Sequence, residues 1–258
     1  MDRSPWVIQR GNGPIVAAAL HAGHGLRDDI RPHIALPDLE RLREEDPHTD
    51  VLANVAPTRV VVRRSRFELD LNRPCDESVC LEPDDCWGLD VWGTPLSEEI
   101  LERTRKLHSR FYDEVGSLLQ RIENDHGPFV VLDIHSYNHR RGGPGAEPDD
   151  PQLNPEVNVG TGSMDRDRWG HLVDRFMKDL GRGGLDVREN VKFRGRRLAA
   201  FVHETFPETG CCLALEFKKT FMDEHTGEVF PDRLAGLKRS LELTLPGLID
   251  QLAESRAA

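Results

Sequence analysis

Apolar residues recur every three or four positions in several stretches of the chain, and this period predicts amphipathic helices. The longest stretch follows Ser97, a residue type that caps helix N-termini, and stops at Gly127-Pro128. Its repeating positions are Ile100, Thr104, Leu107, Phe111, Val115, Leu118 and Ile122. The predicted helices cover residues 37–46, 98–126, 169–180 and 234–252, the last with a kink at Pro246.

Other stretches have the short apolar runs or the period of two that predict strands. Apolar runs occur in "GPIVAAAL" (13–20), "VVLDIHSY" (130–137) and "CCLALEF" (211–217). A fourth strand is predicted from the alternation of Phe67, Leu69 and Leu71 with Glu68, Asp70 and Asn72. On a strand, residues two apart share a face, so Asp133 and His135 are expected to point the same way.

Strands that alternate with helices predict an α/β fold, a three-layer sandwich around a mixed, largely parallel sheet. No linker divides the chain, so we predict a single domain over residues 1–258. Residues 142–162 form a long Pro- and Gly-rich stretch, which is predicted to be a loop. It could act as a lid over a site or be a flexible insertion. Ligands bind at the carboxyl ends of the strands in such sheets, and His21, His135 and Glu216 all lie at or near such ends.

Composition restricts the classes of partner. The net charge of −11 disfavours a nucleic-acid surface, although a few arginines in a cleft could still attract a small anionic substrate. No apolar run approaches the roughly 18 residues that a membrane span needs. The first residues lack the pattern of a signal peptide, so a cytoplasmic location is expected. The oligomeric state cannot be read from the sequence.

Five cysteines are present, an odd number without a CxxC pair, and we expect reduced thiols. The alternative is a metal site built from the first three, but their spacing matches no common zinc pattern. The five are Cys75, Cys80, Cys86, Cys211 and Cys212.

Histidines provide the first candidate chemistry. His21 and His24 lie three apart in "HAGHG", on the turn that leaves a predicted strand, where both imidazoles could approach one ion. His135 could add a third nitrogen from another strand, and three ligands with one open position are typical of a catalytic zinc site. A metal-bound imidazole usually donates its other N–H to a carboxylate, for which Asp70 and Asp133 are the candidates.

Glu216 lies within an apolar strand, where a carboxylate is costly unless it is paired or neutral. It could pair with Lys218 on the same face or act as a general base. Arginines supply positive charge, and an arginine next to an amide could bind a carboxylate. These candidates are Asn72 and Arg73 in "DLNRP", Arg66 before it, and Arg194, Arg196 and Arg197 in "KFRGRR".

The motifs "HAGHG", "DLNR", "IHSY" and "LEF" occur in the order seen in the zinc carboxypeptidase and aspartoacylase superfamily. "RSRFELDLNRP" followed by "LDIHSYNHRR" most closely resembles the N-formylglutamate amidohydrolase family, over roughly residues 14–220. The resemblance implies Zn²⁺ held by His21 and His135, with Asp70 as the partner of His21, Asn72 and Arg73 as carboxylate binders and Glu216 as general base. The place of Arg66 before "DLNR" suggests that it stabilises an oxyanion.

One position departs from the superfamily pattern, because residue 24 is histidine where glutamate is usual. His24 could itself be the second ligand, or a carboxylate from "REEDPHTD" could replace it: Glu45, Asp46 or Asp50.

The resemblance implies a zinc-dependent amidohydrolase that acts on a small N-acylated acidic amino acid such as N-formylglutamate. One alternative is a carboxypeptidase or amidase that acts on peptides or cell-wall fragments with the same metal chemistry. Two others are a non-catalytic metal-binding protein and a structural α/β protein without metal.

Overall fold

The strands of the molecule belong to one mixed sheet in the computed structural model, which describes residues 4–257. They are β1 (Trp6–Gln9), β2 (Ile15–Ala19), β3 (Thr58–Val62), β4 (Phe129–Tyr137), β5 (Val157–Gly160), β6 (Val187–Glu189) and β7 (Gly210–Lys218). Their order in the sheet is β1-β3-β2-β4-β7-β5-β6. The four central strands β3, β2, β4 and β7 are parallel to one another. Strands β1 and β5 run antiparallel to their inner neighbours, so the predicted mixed, largely parallel sheet is confirmed.

Helices cover both faces of this sheet, which gives the predicted three layers. They are α1 (Asp38–Glu44), α2 (Thr49–Ala53), α3 (Glu98–His126), α4 (Arg166–Leu180), α5 (Arg197–Thr205), α6 (Pro231–Glu242) and α7 (Leu245–Ala257). Alternate residues of each central strand face opposite layers. Ile15 and Leu132 pack with α2, α4, α6 and α7, whereas Val16 and Val131 pack with α3 and α5.

Helix α3 begins and ends where its sequence predicts. The Ser97 hydroxyl accepts a hydrogen bond from the Ile100 N–H at 3.4 Å, and Gly127 ends the helix with a φ of 70°. The predicted single final helix is wrong, because α6 ends at Glu242 and α7 begins at Leu245. Pro246 lies in the first turn of α7, where its missing N–H costs nothing.

The predicted strand around residues 67–72 is also wrong. The N–H groups of Glu68 and Leu69 both donate to the Ser65 carbonyl, at 3.0 and 3.1 Å, so the chain turns here. The alternation of apolar and polar residues was misleading because both sets are buried: Glu68, Asp70 and Asn72 are at most 6% exposed, as are Phe67, Leu69 and Leu71.

The stretch 142–162 is only partly a loop. Residues 142–156 carry no regular element, but β5 follows them and pairs with β7. Val157 and Val159 are fully buried in this strand, and their burial overcomes the surrounding glycines and prolines. The proposed lid role of the loop stays a prediction.

The expectation of five reduced thiols is wrong for one pair, since Cys80 and Cys86 form a disulfide. Cys75, Cys211 and Cys212 are free. Disulfides are uncommon in cytosolic proteins, and this disulfide therefore does not favour the expected cytoplasmic location. The location stays a prediction. No helix within residues 4–257 is long and apolar enough to cross a membrane.

Candidate active site

Three buried side chains converge at the carboxyl edge of the sheet. His21 follows β2, His135 lies on the neighbouring strand β4, and Asp46 lies between α1 and α2. The two Nδ1 atoms are 3.1 Å apart. Asp46 Oδ2 lies 3.1 Å from Nδ1 of His135 and 3.3 Å from Nδ1 of His21. Among the described residues, this trio is the group of histidine, cysteine and acidic side chains arranged to hold a metal ion.

The opposite nitrogen of each imidazole faces a carboxylate. His21 Nε2 lies 2.7 Å from Asp70 Oδ1, and His135 Nε2 lies 2.8 Å from Asp133 Oδ1. In a neutral ring these carboxylates favour the N–H on Nε2, and Nδ1 would then carry the lone pair. This arrangement places Asp70 and Asp133 where the sequence predicted carboxylate partners.

The cluster fits a divalent cation. Two imidazole lone pairs and a carboxylate oxygen repel one another unless a positive charge lies between them. Tetrahedral ligands about 2.0–2.1 Å from a zinc ion would be about 3.3 Å apart, close to the distances within the trio. His21, Asp46 and His135 are therefore the residues that could hold the metal.

His24 does not join this cluster. Its Nδ1 lies 2.5 Å from Glu45 Oε2 and its Nε2 lies 2.7 Å from Nη2 of Arg41, so both ring nitrogens face α1 and its C-terminus. Gly23 allows this turn to pass close to the neighbouring backbone, because a Cβ at Gly23 would lie 2.1 Å from the backbone carbon of Arg63. The geometry therefore favours Asp46 over His24 as the third ligand.

The other two acidic alternatives are placed elsewhere. Glu45 is fully buried, pairs with Arg41 at 3.2 Å and accepts a hydrogen bond from Ser65. Asp50 is exposed in the short helix α2. Asp46 is positioned by its backbone, whose N–H donates to the His21 carbonyl at 2.9 Å.

Asp70 is the most heavily paired carboxylate of the site. Its Oδ2 accepts from Nη2 of Arg66 at 2.9 Å and lies 3.4 Å from Nε of Arg73. Burial tends to raise the pKa of Asp70, but Arg66 and His21 outweigh it and hold the pKa well below its usual value. Asp70 is thus a permanent anion that orients His21.

Glu216 lies on β7 directly beside His135, since the two residues are paired in the parallel β4–β7 register. Its carboxylate makes no hydrogen bond or ion pair with the protein within residues 4–257, so the predicted alternative of pairing with Lys218 is not seen. Burial raises the pKa of Glu216 to about 8, although His135 and Arg66 oppose the rise. A cation held next to it would favour the carboxylate form.

These groups line a half-enclosed space, here called the main cavity. Its walls include His21, Asp46, Arg66, Asn72, Trp87, His135, Tyr137, Arg141, Phe193, Arg196, Glu216 and Lys219. Arg66 enters it with its guanidinium 4.6 Å above the Trp87 ring, as its predicted role requires. Arg194 lines an adjoining cavity instead.

Arg73 lines neither cavity, and its role in binding substrate stays a prediction. Its Nη2 donates to the Asp85 carbonyl at 2.7 Å, and its guanidinium packs 5.6 Å from the Trp87 ring. Asn72 does line both cavities, but its Oδ1 is used to accept the Leu198 N–H at 3.2 Å.

Sequence reasoning missed Trp87 and Arg141 as site residues and left Asp46 as one of three alternatives. No periodic pattern marks Trp87, which lies immediately after the Cys80–Cys86 disulfide with a φ of 57°. Arg141 follows "IHSYNHR" beyond the end of β4 and pairs with Glu44 at 3.4 Å. The sequence signal for Arg141 was its position shortly after β4, the strand that carries His135.

A polar cluster at the carboxyl edge of a parallel sheet, beside a carboxylate in a half-enclosed cavity, is typical of α/β hydrolytic enzymes. The chain belongs to the N-formylglutamate amidohydrolase family, whose model matches residues 13–222. This family membership makes it a hydrolase of amide bonds and confirms the predicted family.

Solved structures share the fold over nearly the whole chain. The N-formylglutamate amidohydrolase from Ralstonia eutropha is 18% identical, with a TM-score of 0.78, and the match covers 98% of this chain and 99% of that one. A gene product from Agrobacterium tumefaciens is 17% identical, with a TM-score of 0.64 and coverage of 98% and 96%. At these identities the likeness shows the fold alone. A search of curated proteins finds no match.

Proposed function

We propose that this chain is a metal-dependent amidohydrolase that removes the acyl group from a small N-acylated acidic amino acid, with N-formyl-L-glutamate as the reference substrate. The observation that carries the proposal is the convergence of two Nδ1 atoms and a carboxylate oxygen, all within 3.3 Å of one another, beside Glu216. The family supplies the amide chemistry, and the cluster supplies the reason to expect a metal.

His21, Asp46 and His135 would hold Zn²⁺, a cation that catalytic sites bind through two imidazoles and one carboxylate with one position left open. When bound, such an ion polarises the scissile carbonyl and makes water more acidic. Asp70 and Asp133 keep both imidazoles in the tautomer that presents Nδ1 to the ion.

Glu216 acts as the general base. Its carboxylate is free of protein partners within residues 4–257 and lies next to His135 in the wall of the main cavity. It takes a proton from the attacking water and delivers it to the departing nitrogen. Arg66 is held by Asp70 and Trp87 in the same wall, where its positive charge stabilises the oxyanion that forms at the carbonyl.

The test measures formate release from N-formyl-L-glutamate by protein loaded with zinc, cobalt or manganese, beside a panel of N-acyl amino acids and short peptides. Turnover of peptides alone would favour the carboxypeptidase alternative, and the absence of formate with every metal would contradict the proposal. Glu216→Gln is expected to lose turnover by several hundredfold or more while still binding metal, since general bases contribute about 10²–10⁴-fold. Glu228→Gln, at an exposed position outside both cavities, is the matched control.

A further inference from the structure

A second space adjoins the main cavity and is here called the side cavity. Both spaces are bordered by His135 and Glu216, and Arg196 forms part of the wall of each. The side cavity has a volume of about 160 Å³ and extends from the reacting groups along residues 192–196, which we call the arginine segment. A substrate whose amide lies beside His135 and Glu216 therefore has two directions in which to extend.

The two spaces differ in charge. Lys192, Arg194 and Arg196 line the side cavity, against the single carboxylate of Glu216. In the main cavity, by contrast, Arg66 and Arg141 have acidic partners at 2.9 and 3.4 Å, and the wall contains Lys219 together with the carboxylates of Glu44 and Asp46. The side cavity is thus the part of the site with excess positive charge.

The guanidinium groups of this segment are also available. Lys192 donates to Asn154 and lies 5.1 Å from the Tyr137 ring, so its ammonium group already has partners within the protein. Within the described part of the chain, the side chains of Arg194 and Arg196 make no hydrogen bond, ion pair or ring contact. Two unpaired guanidinium groups on one side of a cavity that contains the reacting groups are suited to binding an anionic ligand.

Neighbouring strands hold the backbone of the arginine segment in place. Asn158, fully buried on β5 and paired in register with Glu216, accepts from the N–H groups of Lys192 and Phe193 and donates to the Phe193 carbonyl. The Arg194 carbonyl accepts the Gly162 N–H at 2.7 Å. The backbone that carries the two arginines is therefore a preformed part of the site.

A glycine between the two arginines allows this close approach. Gly195 has a φ of +89°, and a Cβ there would lie 3.2 Å from the Cβ of Ala214 on β7. A side chain at this position would strain the backbone and push the segment away from the sheet.

We propose that the arginine segment determines the preference for an acidic side chain, with Arg196, assisted by Arg194, binding the side-chain carboxylate of the substrate. This inference rests on the proposed function. In an N-acyl glutamate the carbon of the α-carboxylate is two bonds from the scissile nitrogen, so this group stays beside the trio of His21, Asp46 and His135, near Arg66. The side-chain carboxylate is four bonds away and reaches Arg196. Arg73, which the family resemblance suggested for carboxylate binding, lines neither cavity.

The experiment compares kcat/KM for N-formyl-L-glutamate and N-formyl-L-glutamine, which differ only in the charge of the side-chain group. Arg196→Gln is expected to lower kcat/KM for N-formyl-L-glutamate about 10- to 100-fold, the effect of losing a charged hydrogen bond, and to leave N-formyl-L-glutamine within a few-fold. Arg194→Gln should give a smaller change of the same kind. Arg197→Gln removes the same charge next to the segment but outside both cavities, where Arg197 packs on Tyr112, and should leave the ratio unchanged.

Equal losses for both substrates, or no loss for either, would overturn the inference. Calorimetric binding of L-glutamate and L-glutamine separates it from the proposed function. If the wild-type protein releases no formate but binds L-glutamate more tightly than L-glutamine, and Arg196→Gln removes that difference, the amidohydrolase proposal fails and the carboxylate site stands. If the wild-type protein binds neither and hydrolyses neither, both fail.

Discussion

Nδ1 of His21 and Nδ1 of His135 lie 3.1 Å apart although the two residues are separated by 114 positions in the sequence. Asp70 and Asp133 contact Nε2 of His21 and of His135 respectively, and the Nδ1 atom of each ring faces the other ring. These two nitrogens and one oxygen of Asp46 make a site that a cation would stabilise. The first two predictions follow from this relationship.

Asp46→Asn is expected to weaken zinc binding at least about 100-fold, because it removes the only negative ligand from the trio while keeping the volume of the side chain. The measurement is a competition titration of metal-free protein against a chromophoric zinc chelator. Asp50→Asn is the matched control, an exposed acid four residues further along. Equal zinc affinity in the two variants would exclude Asp46 as a ligand.

Asp70→Asn should weaken zinc binding by about 10–100-fold. The effect is smaller than that of losing a ligand, because the substitution keeps the trio and changes only the hydrogen bond that orients the His21 ring. It should also lower the free energy of unfolding, since Arg66 and Arg73 would lose the carboxylate they share. Zinc competition and urea unfolding measure the two effects. Asp76→Asn, exposed and close in sequence, should change neither, and an unchanged zinc affinity for Asp70→Asn would contradict the orienting role.

Two elements matched their sequence patterns because hydrophobic residues mark their buried positions: the amphipathic period of α3 and the continuous apolar run of β4, which is buried along its whole length. Helix α3 has one apolar face with a serine cap, and β4 is an apolar run that contains Asp133 and His135, so both matched their patterns. Residues 67–72 did not, because the polar members of that alternation are buried with hydrogen-bonding partners, and a pattern of polarity does not distinguish a paired carboxylate from a solvated one.

The ligand set shows the same limit. His24 has the spacing of a metal ligand, but its ring contacts Arg41 on α1 and Glu45 at the end of that helix, and local spacing does not determine where α1 lies. Asp46 could be recognised only as one of several acids in an acidic stretch. The long-range packing that brings its backbone to the carbonyl of His21 decides among them.

The Cys80–Cys86 disulfide is expected to stabilise the segment that carries Trp87 to the main cavity. It closes a loop with a sequence separation of 6, for which chain entropy gives roughly 2 kcal/mol. Cys80→Ser with Cys86→Ser should lower the free energy of unfolding by about that amount in urea titrations. Reductant should reproduce the loss in the wild-type protein and add nothing in the double variant, whereas Cys75→Ser, which removes a free thiol, should behave as wild type. A wild-type protein insensitive to reductant would contradict the prediction.

His203 is expected to make the stability of the protein depend on pH. Its Nε2 accepts the Cys212 N–H at 3.0 Å, and this hydrogen bond requires an unprotonated Nε2. Burial lowers the pKa of His203 from 6.5 to about 4. Between these values the unfolded chain binds more protons than the folded one, so the contribution of His203 to stability is complete above pH 6.5 and is lost as the pH falls towards 4.

Other groups titrate in the same range, so the measured quantity is the difference between the wild-type protein and His203→Gln. Glutamine can accept the Cys212 N–H through its amide oxygen but has no proton to gain. The free energy of unfolding, from urea titrations at several pH values, should fall more steeply for the wild-type protein, by up to about 1.4 kcal/mol per pH unit inside the window and by nothing above it. His171→Gln, at an exposed position, should keep the wild-type slope. Parallel curves for the wild-type protein and His203→Gln would show that His203 takes up its proton equally in the folded and unfolded states.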